Sequence, residues 1–432
     1  MQTLLLVAGR SRRFWPLAEK SLVPIAGKTL LAHQIERLRA GGCRDIILVN
    51  GKHNLRETRR LFPGIRTIEQ KDLEKGMQGA LLSALPKIKG PVMIVGGNDV
   101  VEPEAYAALL KAASRKGVDG AILAQKVRRY FPGGYLTVQR GRVTDIVEKP
   151  GEGNEPSKLV NIVAHVHNEP ASLLAELRRA SSHRDDGYER ALARVFKEKR
   201  YVAVPYTGIW QAVKYPWHLL NLLPLFLNEI TAPRIAKSAR IHETAVVEGN
   251  VVIEEGVRIL PHAAVVGPCV IGRDSIVGNG ALVRGSSVGE RCVVGFGSEV
   301  KGSILMDDVW THMTYIGDSV IGSNVSFGGG CVTGNFRLDE GEIASRVGGE
   351  SVGTGLAKFG TVIGAHTRLG IQVGTNPGVK IGGGSFVAGG TFVTEDVPEK
   401  SFVAVKEGKV VVKKNRTEVL GADARGKYVP HR

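Results

Sequence analysis

The chain has 432 residues and a formal net charge of +16, with 43% hydrophobic and 23% charged residues. These values are typical of an ordinary globular chain of two or three domains. Its four cysteines form no CxxC pair, which argues against disulfides and a structural zinc site. The positive charge favours small polyanionic ligands, because no nucleic-acid-binding motif accompanies it.

Two apolar stretches bear on cellular location. The first, LLLVA near the N-terminus, is too short for the apolar segment of a signal peptide. The second, residues 217–230, is too short to span a bilayer and contains Pro224. We therefore expect a cytoplasmic protein with no membrane partner and no nucleic-acid partner.

Residues 1–215 alternate short apolar strands with helical patterns. The predicted strands are TLLLVA, DIILVN, PVMIVGG and DGAILAQ, and the predicted helices begin near Leu30, Lys75 and Pro103. This order is typical of a doubly wound parallel sheet, which binds ligands at the carboxyl ends of its strands. The loop Gly9–Pro16 follows one such end and carries three arginines.

After residue 232 the pattern changes to a six-residue period. An aliphatic residue stands at every sixth position from Ile235 to Val283, which predicts a β-helix of hexapeptide repeats. The period slips at 285–288 and is expected to return near Val309, Tyr315, Ile321 and Phe327. It then resumes beyond residue 356.

The β-helix pattern also defines segments that do not belong to it. Residues 334–356 break the period and are predicted to be an inserted loop with a functional role. The expected domains are residues 1–215, a linker helix at 216–232, the β-helix at 233–405 and an irregular basic tail at 406–432.

Several motifs occur in an order that resembles the sugar-1-phosphate nucleotidylyltransferases. The first is VAGRSRRFWPLAEKSLVPIAGK, and GMQGALL, GND, GRVTDIVEKP and WQAVKYPWHLL follow it. Joined to hexapeptide repeats, the chain resembles archaeal-type N-acetylglucosamine-1-phosphate uridylyltransferase/glucosamine-1-phosphate acetyltransferases. The resemblance implies an α/β fold class: a Rossmann-like nucleotidyltransferase domain followed by a left-handed parallel β-helix.

For the first half, the resemblance implies transfer of a nucleotidyl group from an NTP, with UTP preferred, to N-acetylglucosamine-1-phosphate. Backbone amides and fixed cations would stabilise the leaving pyrophosphate. The candidates for nucleotide and phosphate binding are Ala8, Gly9, Arg10, Ser11, Arg12, Arg13, Lys20, Gln70 and Gly76, with Arg13 and Lys20 also catalytic. Asp99 is the candidate Mg²⁺ ligand. The sugar-binding candidates are Glu148, Lys149 and Asn161.

For the second half, the resemblance implies acetylation of glucosamine-1-phosphate by acetyl-CoA. His312 and Tyr315 match a His-x-x-Tyr motif, and Asn335 matches a following Asn. These three residues are the catalytic candidates, because a histidine can accept the proton of the attacking amine near neutral pH. The resemblance also implies a homotrimer assembled through the β-helix.

Some positions depart from the family pattern, namely Ser11, Arg12, Met77, Gln78, Val163, Ala212, Gly341 and Ala344. They leave two alternatives open. One is a mannose- or glucose-1-phosphate nucleotidylyltransferase whose β-helix serves only assembly. The other is a catalytically impaired scaffold or sugar-nucleotide sensor on the same fold. Taken singly, Arg13 and Lys20 could be ordinary charged residues of the surface. His312 could likewise be an ordinary histidine at a turn of the β-helix.

Overall fold

The computed structural model describes residues 1–181, 186–417 and 421–425. The chain divides into two compact units. The first unit contains Met1–Arg10 and Leu31–Val213, and the second contains Ser11–Leu30 and the chain from Lys214 onward. The sequence analysis assigned the whole of residues 1–215 to one domain, whereas the structure groups Ser11–Leu30 with the second unit.

The first 213 residues contain short strands and helices in alternation. The strands are β1 Gln2–Leu6, β2 Pro24–Ile25, β3 Lys28–Thr29, β4 Asp45–Asn50, β5 Arg66–Glu69, β6 Val92–Gly96, β7 Asp99–Val101, β8 Gly120–Lys126, β9 Gly134–Gln139, β10 Arg142–Glu148, β11 Leu159–His167, β12 Tyr201–Tyr206 and β13 Trp210–Ala212. The helices are α1 Leu30–Ala40, α2 Lys52–Leu61, α3 Gly76–Ala84, α4 Pro103–Ala113, α5 Pro170–Arg179 and α6 Gly187–Glu198. Single 3₁₀ turns lie at Arg12–Phe14, Lys20–Leu22 and Leu85–Lys87.

Nine of the described strands of the first unit form one sheet in the order β5-β4-β1-β6-β11-β8-β12-β10-β9, and β7 and β13 form a separate pair. β1 is parallel to β4 and to β6, and β4 is parallel to β5. Such strands read as continuous apolar runs because helices cover both faces. The α/β fold is confirmed, although the sheet is mixed, since β11 runs antiparallel to β6 and to β8.

The chain order creates a crevice at β1. From β1 the chain proceeds to β4 and β5 on one side, and it later returns to place β6 on the other side. Ligands of open α/β sheets bind where the strand order reverses in this way. The carboxyl ends of β1 and β6 are therefore the place to look for the first site.

The second unit begins with the helix α7 His218–Leu227 and continues as short strands. These are β14 Arg234–Ile235, β15 Arg240–Ile241, β16 Val246–Glu248, β17 Val251–Ile253, β18 Arg258–Ile259, β19 Ala264–Val266, β20 Cys269–Ile271, β21 Ile276–Val277, β22 Leu282–Arg284, β23 Ser287–Val288, β24 Val293–Val294, β25 Glu299–Lys301, β26 Ile304–Leu305, β27 Tyr315–Gly317, β28 Val320–Ile321, β29 Ser326–Phe327, β30 Val332–Thr333, β31 Ala344–Val347, β32 Glu350–Gly353, β33 Val362–Ile363, β34 Arg368–Leu369, β35 Gly374–Thr375, β36 Lys380–Ile381, β37 Phe386–Val387, β38 Phe392–Val393, β39 Ser401–Lys406 and β40 Lys409–Lys414. The short helix α8 Ala422–Arg425 follows.

Apart from β31, β32 and β40, these strands stack in parallel as the three faces of a β-helix. Two faces are eight-stranded sheets among the described residues, and the third consists of a four-stranded and a five-stranded sheet. Ile253 pairs with Ile271, one coil of three hexads later. The next coil is one residue shorter, because Ile271 pairs with Val288, and this shortening is the slip seen in the sequence.

The aliphatic residue of each hexad points inward. Inward residues such as Val265, Val277 and Val300 are fully buried and form one continuous core along the unit. One predicted position is wrong: Tyr315 faces outward, and Ile316 fills the core in its place. The reason is register, since Ile316 pairs with the inward Val300 and Tyr315 pairs with Glu299.

The interruption predicted at residues 334–356 lies between β30 and β33. It contains the antiparallel hairpin β31–β32, whose turn is Gly348–Gly349. Both glycines have positive φ, +61° and +92°, which a two-residue hairpin turn requires and other residues rarely adopt.

The segment Ser11–Leu30 packs as part of the second unit. The amide of Ala26 donates to the Ser287 hydroxyl at 2.9 Å. A Cβ added at Gly27 would lie 3.3 Å from the Val270 side chain, and one added at Gly364 would lie 3.1 Å from the Pro16 carbonyl oxygen. These close contacts with the β-helix explain why Ser11–Leu30 belongs to the second unit, although the residues on either side of it belong to the first.

The C-terminal segment is more ordered than the sequence suggests. β39 continues the β-helix by pairing with β37, and β40 returns antiparallel to β39 as a hairpin. The irregular basic tail expected from residue 406 therefore begins with a strand, β40, in its described part. Residues 418–420 and 426–432 of that tail lie outside the described residues.

Candidate functional sites

The first site lies at the carboxyl ends of β1 and β6. Leu6 pairs with Gly96 at the last position of both strands, and the Gly97 amide donates to the Leu6 carbonyl at 2.9 Å. Ala8 is buried after β1, and Gly9 is exposed with open space where a Cβ would stand. The backbone after β1 therefore has room for a ligand to approach closely.

Asp99 stands at this edge, at the start of β7. The antiparallel pair β7–β13 holds it opposite Ala212. The indole N–H of Trp210 donates to Asp99 Oδ1 at 2.8 Å, and Gln34 on α1 donates to the Gly97 carbonyl at 3.0 Å. Both the carboxylate and the turn before it are thus held in a fixed orientation.

The surroundings of Asp99 decide whether a divalent cation fits. The described residues contain no group of three or more potential metal-binding His, Cys, Asp or Glu residues, and Ala212 presents only a methyl group. Mg²⁺ in nucleotide sites commonly takes one or two carboxylates, with phosphate oxygens and waters completing its shell. Asp99 fits the first of these two arrangements, a site with a single protein carboxylate.

Val163 lies close to the same carboxylate. A Cβ added at Gly96 would lie 3.0 Å from the Val163 Cβ and 3.2 Å from Asp99 Oδ2. Val163 replaces the glycine of the family motif, so a branched side chain stands beside Asp99 where the family pattern leaves space. We expect this to narrow the region that accepts the sugar.

Gln70 and Gly76 flank the turn that leads into α3, of which Gly76 is the first residue. The Gln70 carboxamide donates to the carbonyls of Asp72 and Gly76 at 2.7 and 2.8 Å, which closes the turn. Gly76 has φ of +47°. Arg10 reaches the same turn and pairs with Glu74 at 2.6 Å. The structure therefore brings three of the predicted nucleotide-binding residues to one turn, where the side-chain amide of Gln70 has a structural role.

Asn161 is fixed by a buried chain of hydrogen bonds. Its Oδ1 lies 2.5 Å from His165 Nε2, whose Nδ1 lies 2.6 Å from the Tyr188 hydroxyl. His167 Nε2 lies 3.3 Å from the same hydroxyl, and its Nδ1 lies 2.7 Å from the Tyr201 hydroxyl. One direction satisfies every donor: from Tyr201 through His167, Tyr188 and His165 to the Asn161 oxygen.

This direction requires both imidazoles to be neutral. Burial lowers the pKa of His167 to about 3. Burial, and secondarily the neighbouring His167, lowers the pKa of His165 well below its usual value. The carboxamide oxygen of Asn161 is consequently turned into the sheet, which orients its NH₂ group.

The buried histidines predict acid sensitivity of the first unit. Their folded-state pKa values lie below the unfolded value of about 6.5, so the unfolded chain gains protons that the folded chain does not. The free energy of unfolding should have its full value above about pH 6.5. Below that pH it should decrease by about 1.4 kcal/mol per pH unit for each histidine. Urea-unfolding curves at pH 7.5 and pH 5 measure this loss.

His167→Gln is the matched variant for that experiment, because it removes one of the two titrating groups. Its stability should decline less between pH 7.5 and pH 5 than that of the wild type. An equal decline in both proteins would show that His167 does not remain neutral when folded.

Glu148 ends β10, and its carboxylate pairs with the ammonium group of the following Lys149 at 3.2 Å. The Glu148 side chain is 16% exposed, and a Cβ added at Gly134 would lie 3.3 Å from its Oε2. Lys149 has φ of +46°, and its amide donates to the Gly133 carbonyl at 3.0 Å. The two charged groups thus lie together at one strand end.

Three predicted phosphate-binding cations belong to the second unit, namely Arg12, Arg13 and Lys20. Arg12 and Arg13 are exposed, and the Arg13 guanidinium lies over the Tyr215 ring, 5.9 Å from its centroid. The Lys20 amide lies 3.4 Å from the Ser11 hydroxyl oxygen, and Ser11 has φ of +50°.

The candidates of the second half fall into two places. Asn335 Nδ2 donates to Asp318 Oδ2 at 2.6 Å and lies 3.2 Å from the Tyr315 hydroxyl. Lys301 Nζ pairs with the same Asp318 oxygen at 2.9 Å. His312 is exposed, and within the described residues its imidazole makes no hydrogen bond to this cluster.

Sequence analysis missed Asp318 and Lys301. Their side chains are largely buried, 18% and 21% exposed, and the two charges neutralise each other while Asp318 also accepts a hydrogen bond from Asn335. A spacing signal exists, because Lys301 ends β25 and pairs with Gly317 at the end of β27 one coil later, and Asp318 directly follows Gly317. The outward position of Tyr315 brings its hydroxyl to the cluster.

The interruption of the β-helix encloses a cavity of about 500 Å³. It is lined by Phe336, Arg337, Leu338, Asp339, Ile343, Ala344, Asn376 and Pro377. Leu338 is fully exposed. Ala344 replaces a lysine of the family pattern, so this cavity has less positive charge than the resemblance implies.

Comparison with known families agrees with both halves. The model of the MobA-like NTP transferase domain matches residues 3–238, and the model of the bacterial transferase hexapeptide (six repeats) matches residues 250–285. The fold and these two family matches therefore define a nucleotidyltransferase joined to a hexapeptide-repeat transferase.

Full-length relatives share this combination. The chain is 31% identical to the bifunctional protein GlmU of Methanococcus vannielii, over 96% of this chain and 100% of the relative. It is 29% identical to a bifunctional sugar-1-phosphate nucleotidylyltransferase/acetyltransferase of Sulfurisphaera tokodaii, over 94% of this chain and 100% of the relative. The chain belongs to the family of bifunctional GlmU proteins.

Two further findings complete the comparison. A solved structure of apo UDP-glucose pyrophosphorylase overlaps 53% of this chain and 99% of its own with 18% identity, at a TM-score of 0.46. No helix in the described residues is long and apolar enough to cross a bilayer.

Proposed function

We propose that the first half transfers a nucleotidyl group from UTP to N-acetylglucosamine-1-phosphate and releases pyrophosphate. The observation that carries the proposal is the fixed Asp99 carboxylate at the carboxyl ends of β1 and β6, in a chain of the bifunctional GlmU family. The sugar phosphate oxygen forms a bond to the α-phosphorus as the bond to pyrophosphate breaks.

The chain's own residues bind and orient the substrates in this scheme. The backbone of Ala8–Arg10, which follows β1, approaches the phosphates of the nucleotide. Asn161 offers its NH₂ group to the sugar phosphate, and Glu148 and Lys149 bind the sugar. Asp99 would hold Mg²⁺, which when bound neutralises charge on the phosphates.

We propose that the second half acetylates the amine of glucosamine-1-phosphate with acetyl-CoA. The hydrogen-bonded group of Tyr315, Asn335 and Asp318 supports this site, because a fixed amide and hydroxyl can orient a sugar. The amine bonds to the thioester carbon, its proton passes to His312, and the carbon–sulfur bond breaks. The CoA thiolate then takes up a proton.

A homotrimer is proposed for the assembled protein. Exposed apolar side chains occur at one corner of the β-helix, at Phe296 and Met313 on successive coils and at Ile371 two coils beyond Met313. Large exposed apolar patches are typical of association surfaces. A covered surface of this kind would also shield His312, which is the residue before Met313.

Two assays test the bifunctional proposal. Radiolabelled pyrophosphate should exchange into UTP when UDP-N-acetylglucosamine and Mg²⁺ are present, and acetyl-CoA should release thiol when glucosamine-1-phosphate is added. Exchange with UDP- or GDP-linked glucose or mannose, without thiol release, would support the monofunctional alternative. If none of these sugar nucleotides supports exchange and no thiol is released, the alternative of a catalytically impaired scaffold or sugar-nucleotide sensor would be supported.

A further inference from the structure

One corner of the β-helix differs at Asp318 from the turns that precede it. The corresponding residues of the two preceding coils are Gly285 and Gly302, and the three residues have positive φ, +55°, +55° and +46° in chain order. This conformation suits glycine, and other residues that adopt it cluster at functional sites. An aspartate therefore stands where the backbone alone would favour glycine.

The glycine before Asp318 makes room for two side chains. A Cβ added at Gly317 would lie 2.5 Å from the Tyr315 hydroxyl and 2.6 Å from Asn335 Nδ2, closer than a real Cβ approaches other atoms. Asn335 Nδ2 in turn lies 2.6 Å from Asp318 Oδ2. The bare backbone at Gly317 thus provides the space for one hydrogen-bonded cluster of Tyr315, Asn335 and Asp318.

Asp318 determines which way the carboxamide of Asn335 faces. A carboxylate only accepts hydrogen bonds, so the NH₂ group of Asn335 turns toward it. Both hydrogens of that group are used, one on Asp318 Oδ2 and the other on the Tyr315 hydroxyl at 3.2 Å. The carboxamide oxygen therefore turns away from Asp318, and no donor in the described part of the chain reaches it.

The same arrangement makes Tyr315 a donor to a ligand. Its hydroxyl oxygen accepts from Asn335, so its own hydrogen is available. Lys301, which pairs with Asp318 at 2.9 Å, would have the opposite effect if it were alone. An ammonium group only donates, so it would attract the oxygen of Asn335 and turn the NH₂ group toward the ligand.

We propose that Asp318 is a positioning residue that makes this site prefer an amino sugar to a sugar with a hydroxyl at the same position. A protonated amine donates hydrogen bonds and accepts none, so it pairs with the Asn335 oxygen and is rejected by an NH₂ group. A hydroxyl both donates and accepts, so it binds either face of the carboxamide. The inference rests on the proposed acetyl transfer for the identity of the amino sugar, glucosamine-1-phosphate.

Binding of two sugar phosphates to the full chain tests the proposal. Titration calorimetry at pH 7 compares glucosamine-1-phosphate with glucose-1-phosphate, with UDP-N-acetylglucosamine present to occupy the first site. Asn335→Ala identifies the share of the binding that belongs to the second site. The wild type should bind the amino sugar about tenfold more tightly, since a hydrogen bond to a charged group is worth at least that factor. Equal affinity for both sugar phosphates would overturn the proposal.

Asp318→Gly is the decisive variant, because glycine occupies the same turn of the two preceding coils and should preserve the backbone. Without the carboxylate, Lys301 should attract the Asn335 oxygen, and the preference for the amino sugar should disappear. In the double variant Asp318→Gly/Lys301→Met that attraction is absent too, so the preference should partly return. A merely structural role of Asp318 would lower both affinities alike and leave their ratio unchanged, which would refute the proposal.

Asp308→Gly is the matched control for this substitution. Asp308 also has positive φ, +62°, and its carboxylate pairs at 2.9 Å with Arg291 of the preceding coil, much as Asp318 pairs with Lys301. It lies at another corner of the β-helix, away from Asn335. The ratio of the two affinities should equal that of the wild type, and a loss as large as in Asp318→Gly would overturn the proposal.

Thiol release from acetyl-CoA separates this inference from the proposed acetylation. A preference for glucosamine-1-phosphate that Asp318→Gly abolishes, in a protein that releases no thiol, would support the positioning role and refute acetyl transfer. Thiol release by a protein whose preference is unchanged in Asp318→Gly would support acetyl transfer and refute the positioning role.

Discussion

Replacing Asp99 by asparagine is expected to slow the exchange of pyrophosphate into UTP about 10²–10³-fold, the usual loss when one electrostatic contact to a developing charge is removed. The change keeps the side-chain shape and an oxygen that can accept from Trp210. It removes the negative charge that would hold Mg²⁺. Exchange rates at saturating UDP-N-acetylglucosamine and varied Mg²⁺ measure the effect.

The control for this variant is Asp45→Asn. Asp45 is an exposed aspartate at the start of β4, at the opposite end of the strand from the site, where it accepts from Gln2 at 3.1 Å. The Asp45→Asn enzyme should exchange pyrophosphate into UTP at the wild-type rate. Trp210→Phe should lower the rate of pyrophosphate exchange by a smaller factor, since it removes the hydrogen bond to Asp99 but leaves the carboxylate in place. An unaltered exchange rate in Asp99→Asn would show that Asp99 does not bind the Mg²⁺ needed for the reaction.

The second large effect is expected for His312→Ala, which should lower thiol release from acetyl-CoA about 10²–10⁴-fold, the typical contribution of a general base. The imidazole is exposed, so its removal should leave folding unchanged. The measurement is the initial rate of thiol release with glucosamine-1-phosphate, compared across pH 6 to pH 8.

His242→Ala provides the matched histidine control, because His242 is also exposed and stands at a turn of an early coil, hydrogen-bonded to Thr244. It should retain the wild-type rate. Tyr315→Phe helps to interpret the result, since it removes the hydroxyl next to Asn335 and leaves His312 in place. A wild-type rate in His312→Ala would make His312 an ordinary turn residue.

The fold was largely predictable because two periodic patterns decide it. Apolar runs bounded by glycines define β1, β4 and β6, and the six-residue period defines the β-helix core. The error at Tyr315 shows where such a pattern fails. Three successive coils are one or two residues shorter than eighteen, and a six-residue count cannot locate such a deletion without knowing which residues pair.

The candidate site was predictable only in part, for the same reason. Asp99 could be found because it follows a buried strand within a motif. Trp210, which holds it, comes 111 residues later, and only the β7–β13 pairing connects the two. The chain from Tyr201 to Asn161 likewise joins residues from separate elements. Contacts over such distances leave no local pattern in a single sequence.

The path of the chain near its N-terminus has a consequence for how such proteins can be rebuilt or recombined. Ser11–Leu30 leaves the first unit and returns to it, so the two units are interleaved in sequence. A fragment that stops at Val213 would still carry Trp15, Phe14 and Leu17 but would lack the coils that this segment packs against. Exchanging the two units between homologues therefore requires two junctions in addition to the one near Val213. These two junctions would lie on either side of the segment Ser11–Leu30.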